Sequence, residues 1–263
     1  MHLGTIDYSM EVAAGRVPGE SIVNKYGEAP SGLQITATDI WDLANATPTQ
    51  QIWLAPTAAR IHTIASTDAA DDTGSTGANS VIITYLADWN SKETTETVTG
   101  DLNAGIAMTN AAVIIHRMIV VPQATSTTAN AGLITATAAT DGTVTAAIQI
   151  GLGQTQMAIY GVPSKCNLFL HDIQVTANKG AGGTVTANMS LLVNPNPQTQ
   201  TVTFINKHKW GCITAGSSAP EVDFHGTPKL IPGPAIIKMQ GISSAADLDV
   251  SAWFNGVLQD KNA

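Results

Sequence analysis

The side chains able to ligate a metal or move a proton are six histidines, two cysteines and twenty carboxylates, and their spacing is uninviting. His2, His62, His116, His171, His208 and His225 stand apart, with no H-E-x-x-H and no His-x-His pair of the kind that holds zinc. His171 and Asp172 are neighbours, but adjacent residues on a strand point to opposite faces. These read as ordinary core or surface histidines. Asp68, Asp71 and Asp72 crowd one segment and offer oxygen ligands of the Ca²⁺ type, without the spacing of an EF-hand loop. Glu93 and Glu96 form a second acidic group. A glycosidase needs two carboxyls held a fixed distance apart across a cleft, and nothing here indicates such a pair.

Other catalytic signatures are missing as well. There is no G-x-S-x-G elbow and no P-loop. Gly151-Leu152-Gly153 follows one strand pattern and precedes another over Thr155 to Tyr160, where a dinucleotide-binding turn would open a helix. Cys166 and Cys212 form no C-x-x-C pair and read as two buried thiols. We expect no enzymatic activity, no cofactor and no metal. Trp253 is the side chain that stands out. It lies on the polar side of an alternating strand, where an exposed aromatic marks an interface.

The elements that must position these residues are strands. Period-2 alternation runs through Thr143 to Ile150, Thr184 to Asn194 and Asp247 to Leu258. Val113 to Val121 is apolar almost throughout and reads as a strand covered on both faces. Between Leu168-x-Leu170 and Ile173-x-Val175-x-Ala177 the apolar parity slips, which a β-bulge near His171–Asp172 would reconcile. Asp141-Gly142 marks a hairpin between Leu133–Ala138 and Thr143–Ile150. Lys179 to Gly183 reads as a turn, residues 122–132 as a long loop, and Asn194-Pro195-Asn196-Pro197 as a strand stop. About a dozen strands at this spacing predict an all-β fold of two β-sandwich, jelly-roll-like halves, over residues 31–152 and 153–263. Residues 1–30 lack clean periodicity and hold Gly15, Pro18, Gly19, Gly27 and Pro30, so they read as an extended N-terminal arm laid across a neighbour or, almost as readily, as a strand added to the subunit's own sheet.

Composition narrows the partners. Charged residues are 12% of the chain against 44% hydrophobic, and the net charge is −8. Typical soluble domains carry roughly 25% charged residues, and a surface so poor in charge suits a subunit covered by neighbours. Twelve Lys and Arg without a basic run argue against nucleic-acid binding. No apolar run reaches the ~18 residues of a membrane span, and the first ten residues lack the pattern of a secretory signal.

Three passages carry a resemblance. Glu11 to Gly27 resembles the acidic-Val-Ala-x-Gly-x-Ile/Val-Pro-Gly-x-Ser opening, with a Lys/aromatic/Gly ending, of a family of tailed-phage virion proteins. Gly153-Gln154-Thr155-Gln156 with Ala158 to Pro163 is similar to its Gly-Gln-x-Gln…Tyr-x-Val-Pro passage, and Ile231-Pro232 through Gly256-Val257-Leu258 to its close. After Val162-Pro163 this chain has Ser164-Lys165, where the family's Gly-x-x-x-x-Val-Pro often continues x-Gly-Lys. The resemblance implies a non-enzymatic particle component: a capsid decoration or cement protein, or else a tail or baseplate sandwich touching host glycan. Its expected partners are the major capsid protein and copies of itself, as a trimer, with no nucleic acid and no membrane. It would be made in the host cytoplasm and reside in the virion. The expected interface residues are Val12, Val17, Pro18, Ile22, Val23 and Tyr26 of the arm, together with Trp253.

Overall fold

The structure, a computed structural model, describes residues 8–44, 50–122, 129–179, 184–199, 203–214, 217–218, 221–223 and 227–262. After a short helix α1 (Tyr8–Ala13) come β1 (Glu20–Leu33), β2 (Thr38–Asp39), β3 (His62–Ser66), β4 (Ser80–Leu86), β5 (Thr94–Thr99), β6 (Ile106–Ala107) and β7 (Ile114–Val120). Then follow β8 (Ile134–Ala138), β9 (Val144–Ile148), β10 (Ile159–Val162), β11 (Cys166–Asn178), β12 (Val185–Asn194) and β13 (Ile205–Thr214). Three short strands, β14 (Ser217–Ser218), β15 (Glu221–Asp223) and β16 (Lys229–Pro232), precede β17 (Ala235–Ser243) and β18 (Leu248–Asp260).

All pairings are antiparallel, as the alternating sequence requires when one face of each sheet packs and the other meets water. The middle of the chain forms two sheets, β6-β3-β8-β9 and β5-β4-β7. The two ends form the others. One is β1-β18-β11, with β14, β15 and β16 along the far side of β11; the other is β10-β17-β12-β13, with β2 against β17. Take β1, β10, β11, β12, β13, β16, β17 and β18 as successive strands of one unit. The first sheet then holds the first, eighth, third and sixth, and the second sheet the second, seventh, fourth and fifth. That interleaving is a jelly roll.

The all-β expectation holds, but the division of the chain differs from the one read off the sequence. Residues 20–33 are not an arm. They form β1, paired with β18 from Glu20↔Gln259 to Ala29↔Val250. Residues 31–44, expected in the first sandwich, include β2 on the jelly roll's second sheet. The middle sandwich is thus an insertion between β2 and β10. The cause is local. The inward face of β1 reads Val23, Lys25, Gly27, Ala29, all buried, which hides a period-2 strand behind one cation and two small residues. Gly27 is required: a Cβ there would meet the Ala158 amide nitrogen at 2.3 Å and the Ile40 carbonyl oxygen at 2.6 Å.

Other local readings match. The register of β11 on β18 slips between Leu170 and Asp172, and the apolar parity changes with it. The β8–β9 hairpin closes through Thr140 (φ 72°) and Gly142 (φ 66°), with Gly142 N–H donating to the Ala138 carbonyl at 3.0 Å. Thr155 to Ala158, expected as strand, lie outside β10, which begins at Ile159. Residues 123–128 and 180–183 of the expected loop and turn lie outside the described residues. Cys166 and Cys212 are both free and buried.

One apolar cluster runs through both units, with Trp41, Trp53 and Phe254 among its largest fully buried side chains. Their polar atoms are satisfied as burial demands. Trp41 Nε1–H donates to the Gln50 carbonyl at 3.0 Å and Trp53 Nε1–H to the Thr145 carbonyl at 2.8 Å.

Candidate interaction surface

Strand β18 lies between β1 and β11 and fixes their registers, so outward residues fall into rows across three strands. One row is Tyr26–Trp253–Gln174, the next Asn24–Asn255–Asp172, and the next Ile22–Val257–Phe169. Residues directly opposite in antiparallel strands share a face, with Cβ atoms roughly 5 Å apart. Tyr26 is 38% exposed and Ile22 37%, while Trp253 is half-buried. The Tyr26 hydroxyl lies 3.3 Å from Ser251 Oγ and 3.4 Å from Glu28 Oε2. Partial burial, with the Glu28 carboxylate beside it, pushes the Tyr26 phenol above its usual range.

Helix α1 borders this face. Its Val12 is buried, and a cleft of about 370 Å³ between helix and sheet is lined by Met10, Ala13, Ile22, Asn24, Asp172 and Asn255. The helix is tied down by the Tyr8 hydroxyl, which hydrogen-bonds the Glu20 carboxylate. Glu11 within the helix pairs with the exposed Arg16 beyond its end at 3.0 Å.

The seven expected interface residues therefore divide. Ile22, Tyr26 and Trp253 converge on the outer face of the β1-β18-β11 sheet. Val17 is half-buried and Pro18 exposed in the turn after α1; Pro18 lines a separate cleft with Lys92, Lys165 and Asp260. Val12 (2% exposed) and Val23 (5%) are spent on the chain's own packing, which corrects their assignment to a neighbour's pockets. They cannot reach a second molecule without leaving this core.

The acidic group expected in one loop turns out to be structural in part. Asp71 is fully buried, and its carboxylate accepts from Ser66 Oγ (2.5 Å) and from the amides of Ala78 (2.7 Å), Ala131 (2.8 Å) and Gly132 (2.8 Å). Its oxygens hold two loops together. Among the described residues, no group of three His, Cys, Asp or Glu is placed to hold a metal ion. No helix among them is long and apolar enough to cross a membrane.

The polar contacts around the junction of the inserted sandwich and the jelly roll leave no trace in the local sequence pattern. His116 on β7 is buried, its ring stacked on Tyr160 of β10 at 4.3 Å between centroids and 29° between planes. Its Nε2 accepts the Gly161 amide at 3.1 Å, which leaves Nδ1–H to donate to the Glu93 carboxylate. Burial holds the imidazole below its usual pKa against the pull of Glu93. With both ring nitrogens engaged, these contacts fix the ring's orientation and tautomer. Within the jelly roll, Asp39 of β2 and Lys238 of β17 form a fully buried ion pair at 2.5 Å, to whose carboxylate Gln240 and, from the segment that follows β2, the Trp53 amide also donate at 2.8 Å each. No local pattern announces such contacts, because the partners lie far apart in sequence.

No protein-family model matches the chain, and no curated protein matches it. Among solved structures, a chain from the infectious bursal disease virus Gt strain aligns over 97% of this chain and 78% of its own, at 10% identity and a TM-score of 0.25. A mutant VP2 protein of the same virus, in derived T=1 particles, aligns over 94% and 72%, at 10% identity and a TM-score of 0.26. The Gx strain aligns over 93% and 72%, at 11% identity and a TM-score of 0.26. Superpositions this loose carry no argument. The jelly roll is assigned from the strand order of this chain.

Proposed function

We propose that the chain is a non-enzymatic structural protein of a virus particle, and specifically a capsid decoration or cement protein of a tailed phage. The outer face of the β1-β18-β11 sheet binds the shell. The observation that carries this reading is the row of Tyr26 and Trp253, flanked by Ile22, presented outward on a rigid sheet. Aromatic anchors of this kind dominate binding energy at protein interfaces. The resemblance of residues 11–27, 153–163 and 231–258 to tailed-phage virion proteins supports the same reading, as does a chain with only 12% charged residues. Burying each large side chain contributes about 1.5–3 kcal/mol before ordering costs, and many copies on one shell add avidity. The partners are the major capsid protein and further copies of this chain, as a trimer, and the protein resides in the virion after synthesis in the host cytoplasm.

Copy number tests the placement. Quantitative mass spectrometry of purified particles is expected to find hundreds of copies, as icosahedral decoration requires. About three to eighteen copies, the range set by the closed symmetry of a tail, would move the protein to the tail or baseplate and make host glycan its partner. Absence from the particle would overturn the proposal outright.

A further inference from the structure

Lys25 is a buried cation with too few acceptors. It sits at 5% exposure on the inward side of β1, at the sheet edge that faces the inserted sandwich. Among the described residues, its Nζ donates to one group, the His116 carbonyl on β7. An ammonium has three donors, and burying it away from water is costly unless they are used. Next to it on β7, Arg117 is exposed and donates one hydrogen bond, Nη2 to the Asn24 carbonyl at 3.3 Å. Among the described residues, neither cation has a carboxylate partner in a salt bridge. The carboxylate between them, Glu93, is held by His116 Nδ1–H.

Both cations line one cleft. It lies between the edge of β1 and strands β4 and β7, has a volume of about 290 Å³, and is bordered also by Ser21, Asn24, Thr84 and Glu93. Its walls come from two separately built units, the jelly roll and the insertion. With Arg117 positive, Glu93 negative and His116 neutral, Lys25 sets the balance: burial lowers its pKa to about 7, so it is about half protonated at neutral pH, the cleft's net charge rises towards +1 below that, and an anion seated beside it would raise the charged fraction. Asp42, the other acid acting on Lys25, is raised by burial to about 8 and is mostly uncharged at neutral pH.

We propose that this cleft binds a small oxyanion, one phosphate or carboxylate group held between the Lys25 ammonium and the Arg117 guanidinium. The anion supplies the acceptors that Lys25 lacks, and it bridges β1 to β7. A guanidinium and an ammonium flanking one pocket suit a compact, multiply accepting group, because charge-assisted hydrogen bonds are shorter and stronger than neutral ones. The anion has two sources, a free ion of the medium or an acidic side chain of a neighbouring subunit, and both present the same oxygens.

The test uses the full chain and inorganic phosphate, titrated by calorimetry with sodium chloride at matched ionic strength as the control. Saturable binding with one site per chain is expected, together with a phosphate-dependent rise in melting temperature that chloride does not give. Arg117→Gln, on an exposed position that leaves the fold intact, should weaken binding by about tenfold or more, the equivalent of one charge-assisted hydrogen bond. Lys25→Met should abolish it; the melting temperature of that variant, whether higher or lower in buffer, should no longer respond to phosphate. Non-saturable heats, or a phosphate affinity unchanged in Arg117→Gln, would reduce the effect to an adventitious ion only and overturn the proposal. Sedimentation with and without phosphate separates the sources. Dissociation of wild-type oligomers by phosphate identifies a neighbour's carboxylate as the natural occupant. Oligomers unaffected by bound phosphate identify a free ion.

Discussion

Tyr26 on β1 and Trp253 on β18 are direct cross-strand partners, both on the outer face of the jelly roll's first sheet. An aromatic cross-strand pair contributes only about 0.2–1 kcal/mol to a sheet. At a binding interface the same side chains can be worth 2 kcal/mol or more. The two roles therefore separate cleanly. Trp253→Ala is expected to lower the unfolding free energy by about 1 kcal/mol or less, and to weaken attachment to particles by tenfold or more. Denaturant melts beside a particle-pelleting assay measure both. A variant that pellets like wild type would remove this face from the interface.

The N-terminal segment gives a prediction of the opposite kind. Deleting residues 1–27 removes eight of the residues paired with β18, from Glu20 to Gly27, and exposes the edge of a strand buried at the centre of its sheet. An uncovered edge of that length is also a template for aggregation. The truncated subunit, isolated from any particle, is expected to melt far below the intact chain or to precipitate. A detachable arm would leave the melting temperature unchanged. Circular dichroism on the two purified chains decides between them.

How much of this was legible depended on whether a residue's partner is near in sequence or carries an alternating apolar face. Strands β12 and β18 announced themselves because Val185, Ala187, Met189, Leu191 and Val193, and Leu248, Val250, Ala252 and Phe254, are all buried at every second position. The bulge after Leu170 was readable as a parity change, and Trp253 as an aromatic on the wrong side of its strand. Strand β1 was not, since Lys25 and Gly27 occupy inward positions for reasons set by β7 and by Ala158. Nor was the insertion. The contact of Lys25 with His116 spans 91 positions and that of Asp39 with Lys238 spans 199, distances over which local pattern is silent. The candidate surface was half visible, since Trp253 was singled out but its pairing with Tyr26 needed the register of β18.

Asp71 illustrates how a residue that resembles a metal ligand can act as a loop staple. Its carboxylate accepts three backbone amides and the Ser66 hydroxyl in a fully buried site. Removing it leaves those donors without acceptors, each costing about 1–3 kcal/mol when buried. Asp71→Ala is expected to destabilise the chain by at least about 3 kcal/mol, with no response of the wild-type melting temperature to added Ca²⁺ or chelator. A Ca²⁺-dependent rise in wild-type stability would show instead that the loop is a cation site.

His62 sets an acid limit on stability. It is fully buried, its Nδ1 lies 3.0 Å from the Arg60 carbonyl, and among the described residues Nε2 has no partner. Burial lowers its pKa from 6.5 to about 4, against the opposing pull of the Arg60 carbonyl and Asp141. The unfolded chain therefore binds a proton at this position between pH 6.5 and 4 while the folded chain does not, so acidification through that window favours unfolding. The neutral ring's contribution is complete above pH 6.5 and gone below about 4. Each pH unit inside the window is worth up to about 1.4 kcal/mol, so on the order of 2 kcal/mol is lost between pH 6.5 and 4.5. Asp42, raised by burial to about 8, works in the other direction over the same range, since its folded form holds a proton that the unfolded form releases. The raw pH profile mixes the two, and the difference between wild type and His62→Gln isolates the histidine. Urea unfolding at pH 4.5, 5.5 and 6.5 should show the wild type losing stability on acidification relative to the variant, whose amide can still donate to the Arg60 carbonyl. Parallel profiles for the two chains would mean that His62 titrates normally in the folded state and is open to water.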